Sequence, residues 1–172
     1  LFNAAVAQAA RAGGTPHEHA RQIADLYDSV SVCFSKGLGA PVGSALVGSA
    51  ELITRARRLR KLSGGAMRQS GLLAAAAAYA LDHHIERLAD DHVHARRLAE
   101  GLVGLDGITV VPPDTNIVFV DLAPGKDGRA IVQAAAERGV RCTGLYRLRL
   151  VTHLDVSRDD VDHAVRVLRE IL

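Results

Sequence analysis

The sequence of 172 residues predicts an α/β protein. From residue 107 onwards, short β-rich apolar runs alternate with helical segments, which is the pattern of a sheet covered by helices. Two longer segments, residues 67–84 and 85–105, are predicted as helices because the first is rich in alanine and the second has apolar residues at helical spacing. Hydrophobic residues make up 48% of the chain and charged residues 23%, so a folded chain is expected.

Before residue 67 the sequence predicts three helices and two strands. The helices are expected over residues 1–11, 15–26 and 49–61, and the strands over residues 29–34 and 45–47. Thr15 and Glu18 mark the start of the second helix, since a capping hydroxyl and an acid three residues later satisfy two free amides. The strands are expected to be part of a larger parallel sheet that is incomplete in this chain.

The C-terminal part is predicted to form a small α/β unit of its own. Its strands are expected over residues 108–111, 116–122, 140–142 and 147–152, and its helices over residues 128–138 and 157–172. Ser157 and Asp160 form a second capping box at the start of the last helix. We therefore place a domain boundary between residues 84 and 85, with an incomplete larger domain over 1–84 and a small α/β domain over 85–172.

Lys36 is the one charged residue between Ser29 and Ala50, and it follows a strand-like apolar run. A lone cation in apolar surroundings is costly unless it is paired or neutralised. Desolvation favours the neutral amine of a lysine, and a neutral amine can attack a carbonyl to form a Schiff base. Lys36 is therefore a candidate for holding an aldehyde cofactor. The alternative that the residues leave open is a strand-end lysine that reaches solvent.

Residues 34–44, Phe-Ser-Lys-Gly-Leu-Gly-Ala-Pro-Val-Gly-Ser, resemble the cofactor-lysine segment of the pyridoxal-phosphate-dependent threonine aldolases, which have the fold-type I aminotransferase-like fold. The similarity continues at residues 59–71, 114–116 and 149–157, and it covers essentially the whole chain in order. It implies the C-terminal part of that fold, namely a partial large-domain parallel sheet followed by a small α/β domain. It also implies that about the first half of the family's chain precedes Leu1, so we expect a C-terminal half.

The resemblance implies a role for four residues. Lys36 would hold pyridoxal 5'-phosphate as a Schiff base, and Arg149 would bind the substrate carboxylate. Lys61 and Arg68 would reach the cofactor phosphate or the active site of a neighbouring subunit, which implies a homodimer or homotetramer with shared active sites. The implied reaction is the cleavage of L-threonine or L-allo-threonine to glycine and an aldehyde. A β-eliminating lyase of the same fold, or a non-catalytic remnant, remains an alternative.

The residues alone do not separate Arg149 from Arg147, because side chains two positions apart in a regular strand lie on the same face. Either guanidinium could bind a carboxylate with two parallel hydrogen bonds, or form a surface ion pair on an edge strand. Only the resemblance favours Arg149.

A separate expectation concerns the glycines at 64 and 65. Their backbone amides are expected to approach an anion near the start of the next helix.

Several other functions are disfavoured by composition. Five basic residues between 55 and 61 indicate a solvated helix face or a nucleic-acid site, and the lack of interleaved aromatic residues and a net charge of +2 argue against nucleic acid. The eight histidines lack the spacing of a metal site. Cys33 and Cys142 are expected to be buried, reduced thiols of a cytoplasmic protein. The longest uncharged apolar run, residues 71–81, is too short to span a bilayer.

Overall fold

A computed structural model describes residues 1–172, and the chain divides into two compact units, Leu1–Leu88 and Ala89–Leu172. The boundary expected from the sequence, between residues 84 and 85, lies close to this division. No helix has the length and apolar character needed to cross a membrane.

The first unit contains four helices and one pair of strands. In chain order they are α1 (Phe2–Ala12), α2 (Pro16–Ala24), β1 (Ser29–Cys33), β2 (Ser44–Gly48), α3 (Ala50–Leu62) and α4 (Gly71–His83). The capping box predicted for α2 is confirmed, because the Glu18 N–H donates to Thr15 Oγ1 at 3.2 Å and the Thr15 N–H donates to Glu18 Oε2 at 2.8 Å. These hydrogen bonds to Thr15 lower the pKa of the Glu18 carboxyl.

The two strands of this unit pair antiparallel, from Ser29 opposite Gly48 to Cys33 opposite Ser44. Within this chain the two strands form only this antiparallel pair, and the larger parallel sheet expected from the sequence is not formed by them alone. The connection, residues 34–43, is ten residues long, whereas a parallel crossover takes about a dozen residues or more. Only Val32 of the five residues of β1 is buried, although the run is apolar enough to predict a buried strand.

The core of the first unit lies under the connection between the strands. Leu38 and Ala40 from that connection pack with residues of α1 and of the C-terminal end of α4 and the turn after it. The buried members of this cluster are Val6, Leu38, Ala40, Ala80, Ile85 and Leu88. The cluster fixes the segment that contains Lys36 against two helices.

The second unit is a three-stranded antiparallel sheet covered on one face by helices. Its elements are α5 (Leu88–Leu102), which begins at the last residue of the first unit, β3 (Ile108–Val111), β4 (Ile117–Leu122), α6 (Gly128–Glu137), β5 (Arg147–Val151) and α7 (Arg158–Ile171). The strand order is β3-β4-β5, with β4 in the centre. Val118, Val120 and Leu148 are fully buried on the face that α5, α6 and α7 cover. The capping box predicted for α7 is confirmed, with Asp160 N–H donating to Ser157 Oγ at 3.2 Å and Ser157 N–H to Asp160 Oδ2 at 2.9 Å.

One predicted strand of this unit is wrong. Residues 140–142 are not part of the sheet, and only Thr143 forms an isolated bridge, with Arg149. The Val140 N–H instead donates to the Ala135 carbonyl oxygen at 2.9 Å, as part of the end of α6. Gly144, with a φ of 137°, then turns the chain directly into β5, so no room remains for a full strand.

Candidate active site

Lys36 lies in the connection between β1 and β2, and this connection is closed by its own backbone hydrogen bonds. The Phe34 N–H donates to the Gly43 carbonyl oxygen at 2.9 Å, and the Ala40 N–H donates to the Phe34 carbonyl oxygen at 3.0 Å. The Gly39 N–H donates to the carbonyl oxygen of Lys36 at 2.9 Å, which closes a turn over residues 36–39. Gly39 has a φ of 71°, a conformation that glycine adopts without strain.

The residue after the lysine must be small. A Cβ atom at Gly37 would lie 2.9 Å from Asn3 Nδ2 and 3.0 Å from Leu88 Cδ2. A larger residue would therefore push the turn away from α1 and from the start of α5. The glycine lets the backbone next to Lys36 lie directly on the core of the first unit.

The Lys36 side chain is exposed and makes no hydrogen bond or ion pair. The expectation of a buried cation is therefore wrong for this chain, because Leu38 and Ala40, rather than Lys36, insert into the apolar cluster. An exposed primary amine without an acidic partner is accessible to a carbonyl compound. The desolvation argument for a neutral amine therefore does not apply to this chain, and the assignment of Lys36 rests on the resemblance of residues 34–44.

The structure separates the two arginines of β5. Arg147 and Arg149 both lie on the exposed face of the strand, with Leu148 and Leu150 buried on the other. The Arg147 guanidinium donates two hydrogen bonds to the Asp121 carboxylate, from Nε to Oδ1 at 2.5 Å and from Nη2 to Oδ2 at 2.9 Å. These bonds lower the pKa of the Asp121 carboxyl.

Arg147 also lies over the ring of Phe119, 5.5 Å from its centroid. The guanidinium of Arg149, by contrast, makes no hydrogen bond or ion pair, and only the Arg149 backbone is paired, with Thr143. Arg149 is therefore the arginine of this strand that is available to an external carboxylate.

A buried polar network fixes the end of β5 beyond Arg149. The Asn116 side-chain amide donates to the Thr152 carbonyl oxygen at 2.8 Å, and the Thr152 N–H donates to the Asn116 carbonyl oxygen at 3.0 Å. The Thr152 hydroxyl donates to the Asp91 carbonyl oxygen of α5 at 2.6 Å. Asn116 and Thr152 are 7% and 2% exposed, so these bonds are made away from water and are expected to be rigid.

Lys61 and Arg68 are both exposed in the first unit, Lys61 in the last turn of α3 and Arg68 in the turn before α4. Their side chains make no hydrogen bond or ion pair. The expected anion site at Gly64 and Gly65 is wrong. Their N–H groups donate to the carbonyl oxygens of Lys61 at 3.2 Å and Arg60 at 2.8 Å and so cap the C-terminus of α3.

The two cysteines differ in exposure. Cys33 is exposed, contrary to the expectation of a buried thiol, and Cys142 is half-buried. Burial raises the pKa of the Cys142 thiol. Both are free, and neither lies in a disulfide.

The sequence analysis named the candidate residues but not the contacts that hold or occupy the residues around them. Lys36, Lys61 and Arg68 lie on separate segments of the first unit, and Arg149 lies in the second. The pairing of Arg147 with Asp121 could have been suspected from opposite charges in neighbouring strands. The resemblance included Asn116 and Thr152, yet only the folded backbone brings their polar groups together.

The fold is that of pyridoxal-phosphate-dependent aminotransferase-like proteins, as the sequence analysis predicted. For example, a candidate aromatic amino acid beta-eliminating lyase/threonine aldolase from Exiguobacterium sp. 255-15 matches with a TM-score of 0.74 and 22% identity, over 99% of this chain and 50% of that chain. At this level of identity the likeness shows the fold alone.

Residues 1–124 match the profile of the beta-eliminating lyase family, and the chain belongs to this family. The probable low-specificity L-threonine aldolase 2 of Arabidopsis thaliana is 41% identical over 177 residues, which are 99% of this chain and 48% of the relative. The low specificity L-threonine aldolase of Escherichia coli K12 is 43% identical over 161 residues, which are 94% of this chain and 45% of the relative. The chain thus spans about half the length of the curated relatives it matches.

Proposed function

We propose that the protein to which this chain contributes cleaves β-hydroxy-α-amino acids, including L-threonine and L-allo-threonine, to glycine and an aldehyde. Relatives named as low-specificity L-threonine aldolases, at 41% and 43% identity over nearly the whole chain, support this substrate class. The single observation in the structure that carries the proposal is the Lys36 amine, which is exposed and unpaired in a closed glycine turn.

The residues around Lys36 fit pyridoxal 5'-phosphate, the cofactor that we infer from the family. A primary amine condenses with an aldehyde, and the Lys36 amine is not engaged by an acid. Gly37 lets the turn lie directly on the core, and Gly39 adopts the positive φ that the turn requires. When bound, the cofactor supplies an electron sink for the bonds at the substrate Cα. Lys36 would hold this cofactor.

Arg149 is proposed to bind the substrate carboxylate. Its guanidinium carries five N–H donors in a rigid fork that matches the two oxygens of a carboxylate. The neighbouring Arg147 does not compete for the substrate, because Asp121 already occupies its fork. A carboxylate held at one end fixes the orientation of the Cα–Cβ bond, which is the bond to be broken.

Lys61 and Arg68 are proposed as cations for the cofactor phosphate or the active site of a neighbouring subunit. Both side chains are exposed and unpaired in the single chain. This is what we expect of residues that complete a site in a neighbouring subunit. This assignment implies a homodimer or homotetramer, and we also propose a cytoplasmic location. Because the chain spans about half of its relatives, we expect the 172 residues by themselves to have little or no aldolase activity.

A second candidate is β-elimination, which the description of the matching family favours. The two reactions differ in the bond that breaks and in their products. Aldol cleavage of L-threonine breaks Cα–Cβ and gives glycine and acetaldehyde in equal amounts. β-Elimination breaks the bond between Cβ and its leaving group, and the product decays to a keto acid and ammonia.

The test measures glycine, acetaldehyde, keto acid and ammonia after the complete protein to which these 172 residues contribute is incubated with pyridoxal phosphate and L-threonine or L-allo-threonine. Glycine and acetaldehyde in equal amounts support the proposal, and keto acid with ammonia supports β-elimination. Borohydride trapping should attach the cofactor to Lys36, with Lys126, a lysine of the second unit to which no role is assigned, as an internal control. No turnover and no trapping would indicate a non-catalytic protein.

A further inference from the structure

The turn that contains Lys36 is held by a side chain from outside the loop. His84 places its ring nitrogen Nδ1 2.6 Å from the carbonyl oxygen of Leu38. A carbonyl oxygen only accepts, so Nδ1 carries the proton and donates it. Leu38 lies inside the turn over residues 36–39, which the bond from the Gly39 N–H to the Lys36 carbonyl oxygen closes. The imidazole therefore binds the turn from which the Lys36 side chain emerges.

Both partners of this hydrogen bond are fixed by other contacts. His84 is the C-cap of α4, and its backbone N–H donates to the Ala80 carbonyl oxygen at 2.9 Å. The His84 ring contacts the ring of Tyr79 edge-on, with 5.5 Å between centroids. Leu38 is 3% exposed and belongs to the core of the first unit. No backbone N–H donates to the Leu38 carbonyl oxygen, so this group depends on the histidine for a donor.

We propose that His84 is a positioning residue for Lys36. It acts through the Leu38 carbonyl oxygen, by holding the turn over residues 36–39 in the conformation that presents the amine. The inference rests on the proposed function, because it assigns His84 to the site only if Lys36 holds the cofactor. It requires no contact between His84 and the cofactor or the substrate.

Two substitutions separate the hydrogen bond from the bulk of the ring. His84→Asn keeps a donor in place, because asparagine Nδ2 and histidine Nδ1 are both two bonds from Cβ. His84→Ala removes the donor. The matched control is His83→Ala, because His83 is the adjacent residue, is exposed, and contacts Tyr79 at 4.3 Å between ring centroids without a bond to the turn.

Two measurements on the complete protein to which these 172 residues contribute test the proposal. Amide hydrogen exchange of Gly39 and Ala40 reports how firmly the turn is held, without any cofactor. Borohydride trapping at a subsaturating pyridoxal phosphate concentration, followed by peptide mass spectrometry, reports the fraction of Lys36 that has reacted. In His84→Ala we expect exchange about tenfold faster and trapping about tenfold lower, the scale of one lost hydrogen bond. His84→Asn and His83→Ala should stay within about twofold of the unmodified chain.

Equal exchange and equal trapping in His84→Ala and the unmodified chain would overturn the proposal. A loss in His84→Ala that His84→Asn does not restore, with faster exchange throughout α1 and α4, would indicate a general packing role and would also overturn it. Trapping on another lysine in the unmodified chain would refute the proposed function instead. The exchange measurement would then still decide whether His84 holds the turn.

Discussion

Arg149→Lys is the substitution that tests the proposed carboxylate site most directly. It keeps the positive charge but replaces the planar fork with a point charge, so the paired hydrogen bonds to a carboxylate are lost. Because the Arg149 guanidinium has no partner in the chain, no internal ion pair is broken and the loss is expected to fall on substrate binding.

The magnitude follows from the number of bonds and their exposure. A hydrogen bond to a charged group contributes about 1.5–3 kcal/mol, and the lysine retains part of the attraction. Arg149 is exposed in this chain, so we use the low end for each of its two bonds, about 3 kcal/mol together, and expect a net loss of about 2–3 kcal/mol. This loss corresponds to roughly a 30- to 160-fold decrease in kcat/KM for L-threonine.

The assay is the formation of glycine and acetaldehyde by the complete protein to which these 172 residues contribute, measured over a range of L-threonine concentrations. The control is Arg147→Lys, two residues away on the same face, where we expect less than about a threefold change because the fork of Arg147 is used by Asp121. A larger effect at position 147 than at position 149 would refute the assignment. An Arg149→Lys enzyme with unchanged kcat/KM would do so as well.

Three further predictions concern stability. Thr152→Val, which removes the buried hydroxyl that donates to the Asp91 carbonyl oxygen at 2.6 Å, should lower the free energy of unfolding by about 1–3 kcal/mol in urea titration. Gly37→Ala should lower the thermal midpoint, since its Cβ would meet atoms 2.9–3.0 Å away. The hydrogen bonds from Arg97 lower the pKa of the Asp162 carboxyl from its ordinary value. This pair therefore stabilises the fold above about pH 4, the ordinary pKa of an aspartate, and its contribution is lost as the pH falls through the lowered pKa. Asp162→Asn should accordingly make stability less dependent on pH in the acid range.

Each of these predictions has a control and an outcome that contradicts it. Thr109→Val, on the β3 edge strand, also removes a hydroxyl, and an equal loss there would show that burial at position 152 is not the cause. Gly71→Ala, where a Cβ meets nothing within 4 Å, is the control for Gly37. A dependence of stability on pH in the acid range that is unchanged in Asp162→Asn would mean that the pair with Arg97 does not contribute.

The sequence determined the local elements because their signals lie within a few residues. The capping boxes at Thr15 and Ser157 are made of groups three positions apart, so the pattern and the structure agree. Lys36 could be singled out for a similar reason, since one charge among apolar residues and glycines is visible without a fold. The strand predicted over residues 140–142 is absent, because its pattern covers only three residues and the Val140 N–H is instead hydrogen-bonded at the end of α6.

Only the tertiary structure decided which charged side chains form ion pairs and which polar groups form hydrogen bonds with each other. Arg147 and Arg149 are equivalent in the sequence, and they differ because β4 places Asp121 opposite Arg147 and Phe119 opposite Arg149. The bond from His84 to Leu38 joins residues 46 positions apart, and no local pattern specifies such a pair. Hydrogen bonds and ion pairs act over a few ångströms in space, so a sequence predicts them only where neighbours along the chain are also neighbours in the fold.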